Sequence, residues 1–436
     1  MRSKPTGLLL TALCLAIAPT AVATTWYVNG VSGSDSNNCL SASGACKTIG
    51  HAISLASSGD SIKVAAATYK ENLTVGVSLK VIGAKAATTI INGGGVNTVV
   101  TISSTTAHVT ISNVTITNGL APTGGGMYNS GTLTVNNSVV SGNTAAHPSG
   151  CTSNCSSNGG GIYNNGTLTV NNSTVSGNTS TVPGGCVLHC EGAGGGIENV
   201  FGTVTINNST VSNNAAAGGG GGIENGPGTV TINNSTVSNN TAYGGRGAGG
   251  GGILNSGTVT LNNTTVAYNS ATAGSATGGG IENSSEPPQT AVLRVNNSTL
   301  AHNTVSGGTA LGGGVYNLGG NVTVQNSIFA HNSPGGNCSG GVTSEGYNLS
   351  SDGTCKLPNT GDLNKTDPKL GPLQNNGGPT QTMALPSGSP AIDAGNPAGC
   401  TNSNGQLLST DQRGMPRPDP EDSGGCDMGA FESQTD

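Results

Sequence analysis

Charged and aromatic side chains are scarce in this sequence of 436 residues, of which 8% are charged and 3% aromatic. No Asp occurs between Asp60 and Asp352, and no Lys between Lys85 and Lys356. The middle of the chain therefore lacks the residues for a catalytic centre built on several Asp side chains or on a lysine base. The excess of acidic over basic residues, 20 against 14, argues against a nucleic-acid partner, because phosphate binding needs a basic surface.

Glycine, in contrast, is abundant, with 74 residues, and much of it belongs to a repeat. The unit reads G-G-G-[IVM]-x-N, then T-[LV]-T-[VI]-N-N-[ST], then V-x-x-N. A repeat of this length indicates a solenoid or another array of stacked units. The first element recurs at Gly124–Asn129, Gly159–Asn164, Gly194–Asn199, Gly220–Asn225, Gly250–Asn255, Gly278–Asn283 and Gly312–Asn317.

The apolar residues of each unit alternate with a period of two, as in Thr132-Leu133-Thr134-Val135. This alternation of β-branched residues is typical of strands, and the Asn- and Gly-rich stretches between strands are typical of turns. One coil cannot bury its apolar face alone, so stacked coils must form the core. We therefore predict an all-β fold, a right-handed parallel β-helix with three short strands per coil, an N-terminal helical cap and a small C-terminal cap domain.

Asparagine occupies two fixed positions of the repeat, and we predict structural roles for both rows. Asn tolerates left-handed backbone and can hydrogen-bond along a stack at a repeated turn. One row is Asn129, Asn164, Asn199, Asn225, Asn255, Asn283 and Asn317, and the other is Asn143, Asn178, Asn214, Asn240, Asn269, Asn303 and Asn332.

The paired motifs V-x-x-N and G-G-G-I-Y-N resemble the repeats of β-helix proteins of the polymorphic outer-membrane-protein type, whose motifs are G-G-A-I and F-x-x-N. Here Gly replaces Ala, and Val mostly replaces Phe. The motifs T-W-Y-V-N-G, C-K-T-I-G-H-A-I and G-D-S-I-K-V within Thr25–Val75 resemble the entry cap of pectate-lyase-like β-helices, and the apolar spacing of Lys47–Ser57 predicts a short helix there. Asp367–Gly395 and Asp411–Glu432 resemble the choice-of-anchor Q domain of bacterial β-helix proteins. No sorting motif or apolar tail follows Glu432, which leaves attachment to the producing cell open.

These resemblances divide the chain into four parts. Residues 1–23 have the basic start, apolar stretch and small-residue cleavage site of a signal peptide. Residues 24–60 form the N-terminal cap, 61–333 the β-helix with regular repeats from about 109 to 333, and 334–436 the Q-like domain. We expect no membrane span after cleavage, and an exported chain in the periplasm, at the cell surface or outside the cell.

Ten cysteines remain after removal of the signal peptide, and they occur as near neighbours. An even number in an exported chain indicates disulfides, with zinc as the alternative because C-x3-C occurs twice, near His147 and His189. The expected disulfide residues are Cys39 and Cys46, Cys151 and Cys155, Cys186 and Cys190, Cys338 and Cys355, and Cys400 and Cys426.

The candidate binding residues form one outward row, at the position after the conserved apolar residue of G-G-G-[IVM]. Length variation between V-x-x-N and the next G-G-G adds loops beside this row, and such insertions commonly form the binding surface of a solenoid. A solvated face, a calcium site at Glu198 and Glu224, a catalytic carboxyl pair and a sugar-binding surface all remain open. The row's candidates are Tyr128, Tyr163, Glu198, Glu224, Glu282 and Tyr316.

A second row holds His302 and His331, with Tyr268 in register, but it lacks a third metal ligand. We expect a non-catalytic scaffold that presents its loops for adhesion or for contact with a glycan or protein, and no cofactor other than calcium. The alternative is a polysaccharide lyase or glycoside hydrolase that uses the Tyr and Glu row. A third hypothesis is calcium-dependent assembly. The oligomeric state is left open.

Overall fold

The computed structural model describes residues 23–148, 150–183, 191–244, 247–420 and 425–434. Within these residues the chain is almost entirely β, with one α-helix, Ile49–Leu55. The predicted parallel β-helix is confirmed, because three long sheets run through the molecule with all their strands paired in parallel. Residues 1–22, which hold nearly all of the predicted signal peptide, lie outside the described residues.

Each coil passes through sheet 3, then sheet 1, then sheet 2. Sheet 1 comprises Thr25–Val28, Ser61–Val64, Leu79–Gly83, His108–Ser112, Thr132–Asn136, Thr167–Asn171, Thr203–Asn207, Thr229–Asn233, Thr258–Asn262, Val292–Asn296, Asn321–Gln325 and Thr343–Ser344. Sheet 2 comprises Ala67–Lys70, Thr89–Asn92, Thr115–Thr117, Val139–Ser141, Thr174–Ser176, Thr210–Ser212, Thr236–Ser238, Thr265–Ala267, Thr299–Ala301, Ile328–Ala330, Leu349–Ser350 and Leu363–Asn364. Sheet 3 comprises Leu73–Val75, Val100–Ile102, Met127–Asn129, Ile162–Asn164, Ile197–Asn199, Ile223–Asn225, Ile253–Asn255, Ile281–Ser284, Val315–Leu318 and Cys338–Ser339.

The insertions between V-x-x-N and G-G-G are not simple loops. Each one leaves sheet 2 through a strand of sheet 4 and returns to sheet 3 through a strand of sheet 5, so most of the repeating coils hold five strands. Buried alanines, among them Ala242, Ala271 and Ala276, form a small core between the two sheets. Sheet 4 comprises Leu120–Ala121, Thr144–Ala145, Thr179–Ser180, Ala215–Ala216, Thr241–Tyr243, Ser270–Thr272 and Thr304–Ser306. Sheet 5 comprises Ser157–Asn158, Gly192–Ala193, Gly218–Gly219, Gly247–Gly249, Ser275–Thr277 and Thr309–Leu311.

The core consists of stacked columns of β-branched and leucine side chains. In Thr132–Asn136, Leu133 and Val135 are fully buried, whereas the alternate threonines face outward. Leu133 lies in register with Leu168 of the next coil, so each apolar residue packs on a similar one above and below. Burial of one such side chain contributes about 1.5–3 kcal/mol, and the repetition of these contacts stabilises the solenoid.

The two conserved asparagine rows form fully or nearly fully buried hydrogen-bonded ladders, as predicted. Asn143 Nδ2 donates to Asn178 Oδ1 at 2.9 Å, and Asn129 Nδ2 donates to Asn164 Oδ1 at 2.7 Å. The expected left-handed backbone is found at asparagines outside these two ladders. Some occupy the second position of the N-N pair, and others directly precede a residue of the row that contains Asn143. Positive φ values at these positions occur at Asn113, Asn118, Asn137, Asn172, Asn208, Asn213, Asn234, Asn239, Asn263, Asn297 and Asn326.

The predicted N-terminal helix is confirmed as Ile49–Leu55, and it packs against the first strands of sheets 1 and 3. Thr48 caps the helix by accepting a hydrogen bond from the His51 N–H. The Glu71 carboxylate accepts the N–H groups of Ile49 and Gly50 at 2.9 and 2.7 Å. A carboxylate at this end satisfies free N–H groups and complements the helix dipole.

The sheets continue for one coil past Ser333, where the repeat pattern ends, through Cys338–Ser339, Thr343–Ser344 and Leu349–Ser350. The chain then runs back along the outer side of sheet 2. It contains a short antiparallel pair, Leu373–Gln374 with Thr382–Met383.

Both apolar contacts and hydrogen bonds attach this C-terminal segment to sheet 2. Met383 and Met428 belong to the same buried cluster as Ala267 and Ala301. Gln412 bonds the hydroxyls of Thr236 and Thr265 in two successive coils. The segment also contains two ion pairs, Arg413 with Asp411 at 2.7 Å and Arg417 with Glu432 at 2.6 Å.

Candidate functional site on the outer row of sheet 3

The predicted outward row is in register. Tyr128 pairs with Tyr163, Tyr163 with Glu198, and Glu198 with Glu224 on successive strands. Leu254, Glu282 and Tyr316 continue the row. Adjacent members lie about 4.8 Å apart, the spacing between neighbouring strands. The row therefore brings the four residues from Tyr128 to Glu224 together, whereas Tyr316 lies at its other end.

Tyr128 and Tyr163 form a stacked pair, with ring centroids 5.2 Å apart and an angle of 12° between the rings. Both side chains are half-buried. Burial raises the pKa of Tyr163, with smaller contributions from Tyr128 and from Glu198 in the next coil. The two rings span two coils, next to the carboxylates, with one face of each ring turned toward the other.

Glu198 and Glu224 are not the solvated carboxylates that an outward position would give. Glu198 is only 7% exposed, and the Oε2 atoms of both side chains are enclosed. The cause is sheet 5, whose strand Gly218–Gly219 lies against the row. A Cβ on Gly219 would lie 2.4 Å from Leu254 Cδ2 and 3.3 Å from Glu224 Oε2, so glycine leaves room for both side chains of the row. The interpretation of a solvated face is therefore wrong for this pair.

Enclosure shifts the acidity of both carboxyl groups. Burial, followed by the charge of Glu224, holds the pKa of Glu198 well above its usual range. Burial raises the pKa of Glu224 to about 7, and the charges of Glu191, Glu286 and Glu282 act in the same direction. A backbone hydrogen bond from Gly194 opposes this rise. The pair thus favours a bound proton or a bound cation over two free negative charges.

Glu282 has a different environment, although it belongs to the same row. Its Oε2 accepts a hydrogen bond from Thr277 Oγ1 at 2.6 Å. Its carboxylate also fills the space above Gly249, where a Cβ would lie 1.8 Å from the same oxygen. Burial raises the pKa of Glu282, and the Thr277 hydrogen bond opposes the rise. Leu254 separates this residue from the pair.

The histidine row is also in register. Tyr268 stacks on His302 with centroids 5.0 Å apart, and His302 lies 5.0 Å from His331. Nε2 of His331 is 3.3 Å from an oxygen of Asp367. Burial, followed by the neighbouring His331, lowers the pKa of His302. All three row members have left-handed backbone at the turn position that asparagine or glycine occupies in earlier coils.

The cysteine pairs support disulfides over zinc. Disulfides join Cys39 to Cys46, Cys151 to Cys155, Cys338 to Cys355 and Cys400 to Cys426. These sulfurs are consumed by the disulfide bonds and are not available as thiolate ligands. Cys186, Cys190 and the neighbouring His189 lie outside the described residues.

Sequence reasoning did not find sheets 4 and 5, which enclose the carboxyl pair. A signal was present, because several insertions contain short alternating segments around one small apolar residue. Examples are Ser270-Ala271-Thr272, Ser275-Ala276-Thr277 and Thr304-Val305-Ser306. These segments are too short to be recognised one at a time, and only their recurrence in successive coils marks them as strands.

No helix of the described residues is long and apolar enough to cross a membrane. The chain matches no protein-family model and no curated protein.

Solved structures with similar folds include pectate lyase Pel9A, at 17% identity and a TM-score of 0.54, covering 94% of this chain and 97% of that one. The complex of XylC with xylose has 10% identity and a TM-score of 0.44, and the alignment covers 94% of this chain and 98% of the XylC chain. The pectin methylesterase from Aspergillus niger has 14% identity and a TM-score of 0.30, and the alignment covers 79% of this chain and 86% of the esterase chain. Similarity at this level concerns the fold alone, and the likeness to Pel9A together with the all-parallel sheets supports a right-handed parallel β-helix.

Proposed function

We propose that this chain is an exported, non-catalytic β-helix scaffold that binds a neutral glycan through the aromatic surface of Tyr128 and Tyr163. The observation that carries the proposal is the stacking of these half-buried rings beside the insertions. Aromatic rings present a large apolar face with a polar edge, which suits the mixed surface of a sugar. The proposal draws on the fold only for a rigid framework, since a fold does not define a function.

The surroundings of the row favour binding over catalysis. Between residues 109 and 333 the sequence has Arg246 and Arg294 as its basic residues apart from histidine. Arg294 lies on sheet 1, with its side chain exposed on a different wall of the solenoid. The carboxyl pair is enclosed by sheet 5. A lyase needs a base that reaches the substrate, and among the described residues neither Arg294 nor the enclosed carboxyl pair supplies one beside the aromatic surface.

The export, origin and domain composition belong to the same proposal. The disulfides between near neighbours support an oxidising compartment such as the periplasm or the cell exterior. The resemblance of the repeats to the polymorphic outer-membrane-protein type and of the C-terminal region to choice-of-anchor Q domains supports a bacterial surface protein. In this arrangement the scaffold serves adhesion.

Alanine at either tyrosine is expected to weaken glycan binding about tenfold, which corresponds to about 1.4 kcal/mol. Binding is measured by affinity electrophoresis and calorimetry over a panel of neutral and acidic polysaccharides. Tyr243→Ala is the matched control, because Tyr243 is an exposed tyrosine on sheet 4. Equal binding by Tyr128→Ala, Tyr163→Ala and the unchanged chain, or no binding over the whole panel, would contradict the proposal.

The second candidate function is a polysaccharide-active enzyme, favoured by the raised pKa values of Glu198 and Glu224. A buried carboxyl pair with raised pKa values is typical of acid–base catalysis. On this hypothesis, Glu198→Ala or Glu224→Ala abolishes the release of reducing ends from the same panel, whereas Glu345→Ala on the exposed surface does not. Lack of activity in the unchanged chain with every polysaccharide would rule out this candidate.

A further inference from the structure

Two carboxylate oxygens near the middle of the solenoid have no partner. Among the described residues, Oε2 of Glu198 and Oε2 of Glu224 are enclosed and accept no hydrogen bond. Glu282 in the same row differs, because Thr277 donates to it at 2.6 Å. A buried charged oxygen without a partner is costly, since it loses its hydration and gains nothing in return. The arrangement therefore calls for a partner that the described residues around the pair do not supply.

The charge around the pair has one sign. Glu191, Glu282 and Glu286 all act on Glu224 in addition to Glu198, and the backbone N–H of Gly194 is the group that opposes them. No basic side chain of the described residues acts on either carboxyl group. The nearest Lys or Arg in the sequence is Arg246, which lies outside the described residues. A cation bound between the two carboxylates would neutralise this cluster.

The chemistry of the surroundings selects the kind of cation. The ligands at hand are carboxylate oxygens, and the facing strand Gly218–Gly219 adds backbone groups without side chains, with Leu254 Cδ2 at the position that a Cβ on Gly219 would take. Calcium accepts six to eight oxygen ligands in flexible geometry, including carboxylates and backbone carbonyls, whereas transition metals favour nitrogen and sulfur ligands. Magnesium requires nearly ideal octahedral geometry.

We propose that Glu198 and Glu224 bind one calcium ion in the angle between sheets 3 and 5. The ion would join two successive coils of the solenoid and hold the insertions of sheet 5 against sheet 3. This proposal does not rest on the proposed glycan binding, because calcium binding is measured in the absence of any sugar. The rival is a single proton shared by the two carboxyl groups, which would also remove the repulsion but would leave the protein indifferent to calcium.

Terbium luminescence on the full-length chain tests the proposal, because Tb³⁺ replaces calcium at oxygen sites and is excited through nearby tyrosines. Tyr163 is one coil from Glu198, with Tyr128 stacked on it. We expect saturable luminescence that calcium displaces, one site by calorimetry, and a higher melting temperature in calcium than in chelator. Glu198→Gln and Glu224→Gln should each weaken calcium binding at least tenfold. Glu282→Gln, whose carboxylate already has a partner, should change it less than twofold.

Four results would overturn the proposal. The first is no saturable binding of terbium or calcium to the unchanged chain. The second is binding that neither glutamine variant weakens. The third combines two observations: both glutamine variants are more stable than the unchanged chain at pH 8 in chelator, and the unchanged chain does not respond to calcium. This result would indicate the shared proton. Loss of stability in Arg246→Ala with no calcium binding would likewise overturn it, and would identify that arginine as the partner.

Discussion

Asn240→Ala is expected to destabilise the protein by about 3–5 kcal/mol, because it removes one member of a buried ladder. Asn240 Oδ1 accepts the backbone N–H and the side-chain amide of Asn214, both at 3.0 Å. Its own amide donates to Val211 O and to Asn269 Oδ1. Alanine leaves these groups without partners in a fully buried position, and each unsatisfied buried group costs about 1–3 kcal/mol.

The measurement is equilibrium unfolding in guanidinium chloride, and the matched control lies in the same coil. Asn233 belongs to an outer asparagine ladder on sheet 1, where its amide donates to Asn207 Oδ1 at 2.9 Å, and it is partly exposed. Water can replace its partners, so Asn233→Ala should cost less than about 1 kcal/mol. Similar losses from both variants would show that burial of the inner ladder does not determine its contribution.

Arg417→Met is expected to cost about 3–5 kcal/mol and to detach the C-terminal segment from sheet 2. The guanidinium of Arg417 and the carboxylate of Glu432 form a fully buried ion pair at 2.6 Å. Arg417 also donates to Asn263 Oδ1 on the solenoid and to Gly429 O within the segment, both at 2.9 Å. Methionine fills much of the volume but leaves the Glu432 carboxylate buried without its counter-charge.

Limited proteolysis and guanidinium unfolding together measure this effect. We expect faster cleavage within 367–434 and an earlier unfolding transition, with the β-sheet circular dichroism of the solenoid retained. Arg294→Met is the control, because Arg294 is exposed on sheet 1. The double variant Arg417→Met with Glu432→Gln should recover part of the loss, since no buried charge then lacks its partner. An unchanged cleavage rate in Arg417→Met would refute the proposed role of the ion pair.

The outer row of sheet 3 shows how far sequence reasoning reached at the candidate site. The equal positions of Tyr128, Tyr163, Glu198 and Glu224 in their repeats predicted their register, because parallel coils place equivalent residues side by side. The same reasoning gave these side chains an outward direction, which period two requires. It could not predict how exposed these side chains are to solvent, since the strands that enclose Glu198 and Glu224 come from insertions of variable length.

The C-terminal segment provides a second example. The outward residue of sheet 2 is serine in four successive coils, Ser141, Ser176, Ser212 and Ser238, and then alanine in three, Ala267, Ala301 and Ala330. The change coincides with the coils that the segment covers with Met383, Leu385 and Met428. In the sequence, this change from serine to alanine indicates that the outer face of these coils is covered. It does not reveal which part of the chain covers it.

The sequence by itself determined the solenoid, the register of its rows and the two asparagine ladders. These features depend on spacing along the chain, because strand alternation and repeat length directly set which residues become neighbours. Only the tertiary structure decided that the insertions form sheets 4 and 5, that the C-terminal segment lies on sheet 2, and that Glu198 and Glu224 are enclosed. These features depend on which separate surfaces pack together, and burial then changes a carboxylate from a solvated group into one that requires a partner.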